Sequence, residues 1–244
     1  AEARSDDKQA KEQVAQVKES LAKSVWHEDE AETRLRIDQQ LIDAGWQADT
    51  VNLRYSKGSR PEAGKNKAIA EWPTASGPSD YVLFCGLTAI ATVEAKKASK
   101  SVAGDIDQAE RYSRTIEQSE NFDLPGGPWW VDELDQQAGT YQLPFAFATN
   151  GRPYLDQHKE LSGIWFRDLR RPQNERKAND GWYSPEGLQN LLKQNLDEAE
   201  AKLKTQSFNF DFQLRHYQIK AIEQAEQAIV DGQQQILLAM ATGT

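Results

Sequence analysis

Cysteine is nearly absent from this chain of 244 residues, Cys85 being the only one. A single thiol closes no intrachain disulfide and builds no cysteine-rich zinc site. Between two apolar runs it is expected to be a small packing residue. The three histidines are scattered at 27, 158 and 216 without metal-ligand spacing, so any metal would have to be held by carboxylates. No apolar run approaches the 18 residues of a membrane helix, and the first residues lack a signal-peptide pattern. A soluble cytoplasmic protein is therefore expected, without membrane contact. Positive charge is also short. Lys and Arg number 29 against 38 Asp and Glu, a formal net charge of −9. Domains that hold nucleic acid by charge alone are usually basic, so if DNA is the substrate, cations and partner subunits must supply much of the attraction. What is present suits a folded domain: 38% hydrophobic residues, 27% charged residues and seven Trp can build a core with a polar surface.

The most informative stretch is Ser79-Asp80-Tyr81-Val82-Leu83-Phe84, followed after a short connection by Ile90-Ala91-Thr92-Val93-Glu94-Ala95-Lys96-Lys97. Both halves are apolar and partly β-branched, which favours strands. Cys85 to Ala89 has the length of a hairpin loop. Folding antiparallel about Leu87 sets Asp80 opposite Glu94, and alternation puts Glu94 and Lys96 on one face, roughly 7 Å apart. Two carboxylates and an ammonium at one end of a sheet can serve a hard cation such as Mg²⁺ and a scissile phosphate, with the Ala95 carbonyl as a further oxygen donor. A hairpin with solvated polar ends has the same sequence, since Asp…Glu-x-Lys triplets are frequent by chance.

Helix is expected from Ser5 to about Gln47 in two pieces: an amphipathic arm carrying Val14, Val17 and Leu21, then a helix beginning near His27-Glu28-Asp29 and ending at Ala44-Gly45-Trp46. In the second piece Glu30 lies four residues before Arg34, on the face of Ile37 and Leu41; this spacing favours a Glu30–Arg34 pair over a metal ligand. Strands are expected at Val51–Tyr55 and Lys67–Glu71, joined by a loop whose Lys57, Arg60, Lys65 and Lys67 could approach a DNA backbone or simply be solvated. A helix over 105–119 would bury Ile106, Ala109, Ser113 and Ile116, with Gln108 and Tyr112 adjacent on one edge. Residues 122–142 read as an insertion packed by Trp129 and Trp130. Strands follow at Phe145–Thr149 and Ile164–Phe166, the latter leading into Arg167, Arg170 and Arg171, and a helix opens at Ser184-Pro185-Glu186. Helix resumes over 196–204. After a linker at Phe208-Asn209-Phe210, a helix runs from Leu214 to about Val230, and Gln235–Met240 reads as a buried strand entering Ala241-Thr242-Gly243-Thr244, the way a phosphate-binding loop begins. Interleaved strands and helices indicate an α/β fold with at least one antiparallel hairpin.

Taken together, several stretches resemble the restriction (R) subunit of type I restriction-modification enzymes. They are Glu30-Ala31-Glu32-Thr33-Arg34 with Gly45-Trp46, Ser79 to Leu83, Val93-Glu94-Ala95-Lys96, Gln108-Ala109-Glu110-Arg111-Tyr112, Phe147 to Arg152, Trp165 to Asp168, Leu214 to Gln218 and Leu238 to Thr244. The resemblance implies a mixed β-sheet flanked by helices of the PD-(D/E)xK endonuclease type over 26–205, behind a helical arm over 1–25. Residues 206–244 would then open a RecA-like superfamily 2 motor with its first helix and strand. It further implies that Asp80 and Glu94 bind Mg²⁺, that Lys96 is the catalytic lysine, and that Glu30 is an added metal ligand rather than a simple partner of Arg34. Gln108 and Tyr112 would match a Gln-xxx-Tyr element supporting DNA cleavage. Gln218 would read the adenine of ATP, and Thr242, Gly243 and Thr244 would open a Walker A loop. Partners implied are double-stranded DNA and the methylation and specificity subunits, with cleavage following ATP-driven translocation. Two other readings stay open: the nuclease module of another helicase–nuclease fusion, and an inactive docking scaffold of the same fold.

Overall fold

The apolar, β-branched stretch from 66 to 95 folds on itself as three antiparallel strands, β1 being reserved for the short Gln47–Ala48. β2 (Asn66–Thr74), β3 (Gly77–Cys85) and β4 (Thr88–Ala95) form the centre of a computed structural model that describes residues 30–117, 121–127, 129, 141–205, 212–231, 233 and 236–239. The expected five-residue connection between β3 and β4 is tighter, only Gly86-Leu87, with Gly86 at φ +61°. A register shift between Leu83 and Phe84 restores the pairing of Tyr81 with Val93. In β2, Glu71 adopts φ +51° and breaks the alternation, so Ile69 and Trp72 both join one apolar cluster with Val82 and Phe84.

The sheet has seven strands in the order β1-β2-β3-β4-β5-β6-β7, completed by β5 (Phe145–Thr149), β6 (Ile164–Asp168) and β7 (Lys177–Ala178). β4 and β5 are parallel, so the chain must cross over between them, and it does so through the helix α2 (Ile106–Thr115). The other helix facing the sheet is α1 (Glu30–Asp43), which buries Thr33, Ile37, Asp38 and Leu41. Tyr81 Oη donates to Asp38 of α1 at 2.9 Å, whereas Thr92 Oγ1 donates to the Ala109 carbonyl of α2 at 2.8 Å. Tyr81 and Thr92 point to opposite faces, so the two helices flank the sheet on opposite sides. This is an α/β architecture, a mixed sheet between helices. Ile106, Ala109, Ser113 and Ile116 are buried as the helical spacing predicts.

α3 (Pro185–Lys193) opens on Ser184, whose Oγ accepts from Gly187 N at 3.0 Å. The preceding Trp182 and Tyr183 pack on Phe147 and Phe166. Described residues up to Gln189 form one compact unit and those from Asn190 a second, which contains α4 (Leu196–Thr205) and α5 (His216–Val230). The helical arm over 1–25, Trp130 and the linker at 208–210 lie outside the described residues.

Two expected strands are absent. Val51–Tyr55 is a turn leading into a 3₁₀ helix, Tyr55–Lys57, because the Asp49 carboxylate accepts from the amides of Val51 and Asn52 at 2.9 and 2.8 Å. The segment still docks on β2, Ala70 N donating to Leu53 O at 2.9 Å. Ile236–Ala239 forms no strand and is exposed rather than buried, Leu237 being 92% accessible. An apolar strand is buried only against neighbouring strands, and none among the described residues pairs with it.

Candidate active site

Continuing the β3–β4 register one residue past Tyr81 and Val93 sets Asp80 across from Glu94. The position of Asp80 is fixed from two directions. Its Oδ2 accepts from Ala95 N at 2.7 Å, and its Oδ1 accepts from Arg34 Nη2 of α1 at 2.5 Å. Glu94, on the buried face of β4, accepts from Lys96 Nζ at 2.5 Å. Parallel pairing extends past the strand, so that Lys96 N donates to Thr149 O at 2.8 Å.

α2 supplies the remaining polar groups. Lys96 Nζ also donates to Gln108 Oε1 at 3.1 Å, and Gln108 Nε2 donates to Tyr112 Oη at 2.6 Å. A continuous chain of hydrogen bonds thus runs Glu94–Lys96–Gln108–Tyr112. The rear of α2 is clamped to the body. Glu110 accepts from Arg167 Nη1 at 3.1 Å and from Arg176 Nε at 2.9 Å, which keeps Gln108 and Tyr112 facing the strands.

The electrostatics fit the crowding of two carboxylates. Burial, reinforced by the charge of Asp80, pushes the Glu94 carboxyl up to about 7 against the opposing hydrogen bond from Lys96. For Lys96 burial works against the charge, but the hydrogen bond and charge of Glu94 outweigh it and raise the ammonium above the usual lysine value. Lys96 therefore keeps its charge at neutral pH and donates hydrogen bonds from it. Burial likewise raises the Tyr112 phenol.

Among the described residues, no three His, Cys, Asp or Glu side chains converge on a point where they could hold a metal ion. The donor set that fits a hard cation is Asp80 and Glu94 with backbone oxygen, since the charge of Asp80 helps to raise the proton affinity of Glu94 and a positive charge between them relieves it. Glu30 stands apart from them. Its side chain is 61% accessible and meets Arg34 Nη2 at 3.8 Å, with the guanidinium toward Asp80.

The sequence sets Asp80 opposite Glu94, Glu94 beside Lys96 and Gln108 beside Tyr112, and the structure joins the two groups through the Lys96–Gln108 hydrogen bond. It misses Arg34 as a partner of Asp80; the signal was a cation on the stripe of Ile37 and Leu41. Gln218 lies in the second unit, where its Oε1 accepts from Arg215 N at 2.9 Å at the start of α5. Thr242, Gly243 and Thr244 are outside the described residues. The basic loop is partly neutralised, because Lys65 and Lys67 pair with Glu62 and Arg60 lies over the Tyr55 ring at 3.8 Å. A cleft of about 340 Å³ beside it, lined by Tyr55, Arg60, Trp72 and Phe122 among others, includes none of the candidate site residues.

Comparison with known proteins shows the family of the chain. The chain is 41% identical over 234 residues to the type I restriction enzyme EcoKI endonuclease subunit of Escherichia coli (strain K12), an alignment covering 88% of this chain and 20% of that protein. The chain thus spans about a fifth of that relative's length. No solved structure matches it significantly. The family described as the type I restriction enzyme EcoKI endonuclease subunit second domain matches residues 47–192, more than half of the chain and including every site residue of the sheet and α2. The chain belongs to that family.

Proposed function

We propose that this chain carries the DNA-cutting site of a type I restriction enzyme, a Mg²⁺-dependent endonuclease of the PD-(D/E)xK kind acting on double-stranded DNA. The observation that carries the reading is the convergence of Asp80, Glu94 and Lys96 at one end of the β3–β4 pair, with Lys96 linked to Gln108 and Tyr112. The similarity to an endonuclease subunit supports it.

A Mg²⁺ ion would be held by Asp80 and Glu94 and would supply Lewis-acid stabilisation of charge on phosphate and water. The reaction is hydrolysis: water adds to phosphorus, one P–O bond breaks, and a phosphate monoester and a hydroxyl result. Lys96, protonated at neutral pH, donates a hydrogen bond to the oxygen on which charge develops. Gln108 aims the ammonium by accepting from it, and Tyr112 fixes the Gln108 amide. Asp80 is oriented by Arg34 and Ala95 N before substrate arrives. ATP-driven translocation by an attached motor, with Gln218 and 242–244 as nucleotide contacts, and assembly with methylation and specificity subunits complete the proposal.

The test is made in the full assembly. Glu94→Ala and Lys96→Ala should each lower DNA cleavage by at least about 100-fold while ATP hydrolysis persists. Cleavage at the parental rate would exclude this site and favour the docking-scaffold reading.

A further inference from the structure

Residues 96–105 connect β4 to α2. This connection carries Lys96 at its start and delivers Gln108 in the first turn of the helix, so its path bears on both ends of the Lys96–Gln108 hydrogen bond. Thr149 O fixes the Lys96 amide; the run of the next peptides decides where the ammonium stands. Exposed connections are usually the mobile parts of a fold, and Lys97, Ser99 and Lys100 are exposed. Their backbone is nonetheless gripped. Arg152 Nε donates to Ala98 O at 2.5 Å and Arg152 Nη2 to Lys100 O at 3.2 Å, while Asn150 Nδ2 donates to the same Lys100 O at 2.6 Å. Ala98 N in turn donates to Thr33 Oγ1 of α1 at 3.3 Å.

The grip is itself built rigidly. Asn150 Oδ1 accepts from Arg152 N at 3.1 Å and Thr149 Oγ1 accepts from Gly151 N at 3.1 Å, so side chains close the turn after β5. Gly151 sits at φ +72°, and its carbonyl accepts from Gln40 Nε2 of α1 at 2.8 Å. Gly163 lies so close that a Cβ there would run into the Arg152 carbonyl. Arg152 is only 3% accessible and burial lowers its proton affinity, so the fold bears a desolvation cost to keep a guanidinium under this connection. A neutral side chain on a single carbonyl would cost less; the planar fork is what reaches Ala98 and Lys100 together.

We infer that Arg152, assisted by Asn150, is a positioning residue for DNA cleavage: by holding the carbonyls of Ala98 and Lys100 it sets where Lys96 Nζ stands between Glu94 and Gln108. This rests on the nuclease reading above. Arg152 touches no reacting atom. It acts through Lys96, whose donor must stand within hydrogen-bond reach of the phosphate oxygen, and a misplacement of about 1 Å costs on the order of 100-fold in rate. Arg152→Lys keeps the charge but replaces the fork by a point donor on a flexible stem, so it does not hold both carbonyls in place.

The experiment uses the full restriction assembly with Arg152→Lys, Asn150→Ala and Lys96→Ala, and with each of the first two combined with the third. Single-turnover cleavage at saturating DNA, the DNA concentration for half-saturation and ATP hydrolysis are measured. Arg152→Lys and Asn150→Ala are each expected to slow cleavage at least about tenfold, with half-saturation and ATP hydrolysis unchanged. In the Lys96→Ala background neither should slow it by more than about twofold, because the group they position is already gone. An equal factor in both backgrounds would mean that Arg152 only supports the fold, and would overturn the inference. Cleavage near the parental rate by either variant would overturn it as well, and Asn150→Ala decides alone should Arg152→Lys not assemble. Cleavage by Lys96→Ala at the parental rate would sink the nuclease reading itself.

Discussion

Glu94 is the residue at which the character of the site can be read in solution. Its carboxyl is raised to about 7, chiefly by burial and then by the charge of Asp80. Between an ordinary glutamate value and about 7, the folded protein holds a proton that the unfolded chain has lost. Stability must fall as pH rises through that window. In chelator, chemical denaturation should therefore show wild type losing on the order of a few kcal/mol between pH 5 and pH 8 relative to Glu94→Gln. Mg²⁺ added at pH 8 should recover most of that loss in wild type and little of it in the variant. A flat difference across the window would show that Glu94 is not held in this environment. The adjacency of Glu94 with Lys96 and of Gln108 with Tyr112 was legible in the sequence because strand alternation and the helical i, i+4 step are local rules. Arg34 was not, since its contact with Asp80 joins positions 46 residues apart and local spacing offered Glu30 instead.

At the scale of elements, β2 and the segment before it carry the apolar cluster that underlies β3. Trp72 stacks edge-on to Tyr55 at 5.0 Å and to Phe122 at 5.5 Å, and lies 4.7 Å from Phe84. Its indole is buried. Trp72→Ala should cost about 3–5 kcal/mol of unfolding free energy, measured by denaturant titration, because the rigid rings around it cannot close the cavity. A loss below about 1 kcal/mol would mean that the cluster does not support the sheet. The hairpin was readable because its centre of pairing followed from two apolar runs around Leu87. The Val51–Tyr55 segment was not, because a single carboxylate, Asp49, turns the backbone before Val51 and Leu53 can extend as a strand. Residues 236–239 carry strand composition, but composition cannot supply the neighbours that bury a strand.

For the whole molecule, charge is decisive. The net value is −9, and many of the cations are committed internally: Lys65 and Lys67 to Glu62, Arg167 and Arg176 to Glu110, Arg170 to Asp168. The isolated chain should bind duplex DNA weakly, with Kd above about 10⁻⁵ M at physiological salt, and lose affinity further as salt rises. Fluorescence anisotropy with labelled duplex checks this, and nanomolar, salt-insensitive binding would contradict it. The parallel pairing of β4 with β5 also sets an order of events during synthesis. A ribosome delivers Asp80, Glu94, Lys96, Gln108 and Tyr112 well before Thr149, whose carbonyl tethers the Lys96 amide. Until residues 145–149 emerge, β4 has one open edge and the ammonium rides on an unpinned backbone. A nascent chain halted short of Thr149 is thus born with these five side chains already made and not yet held in place.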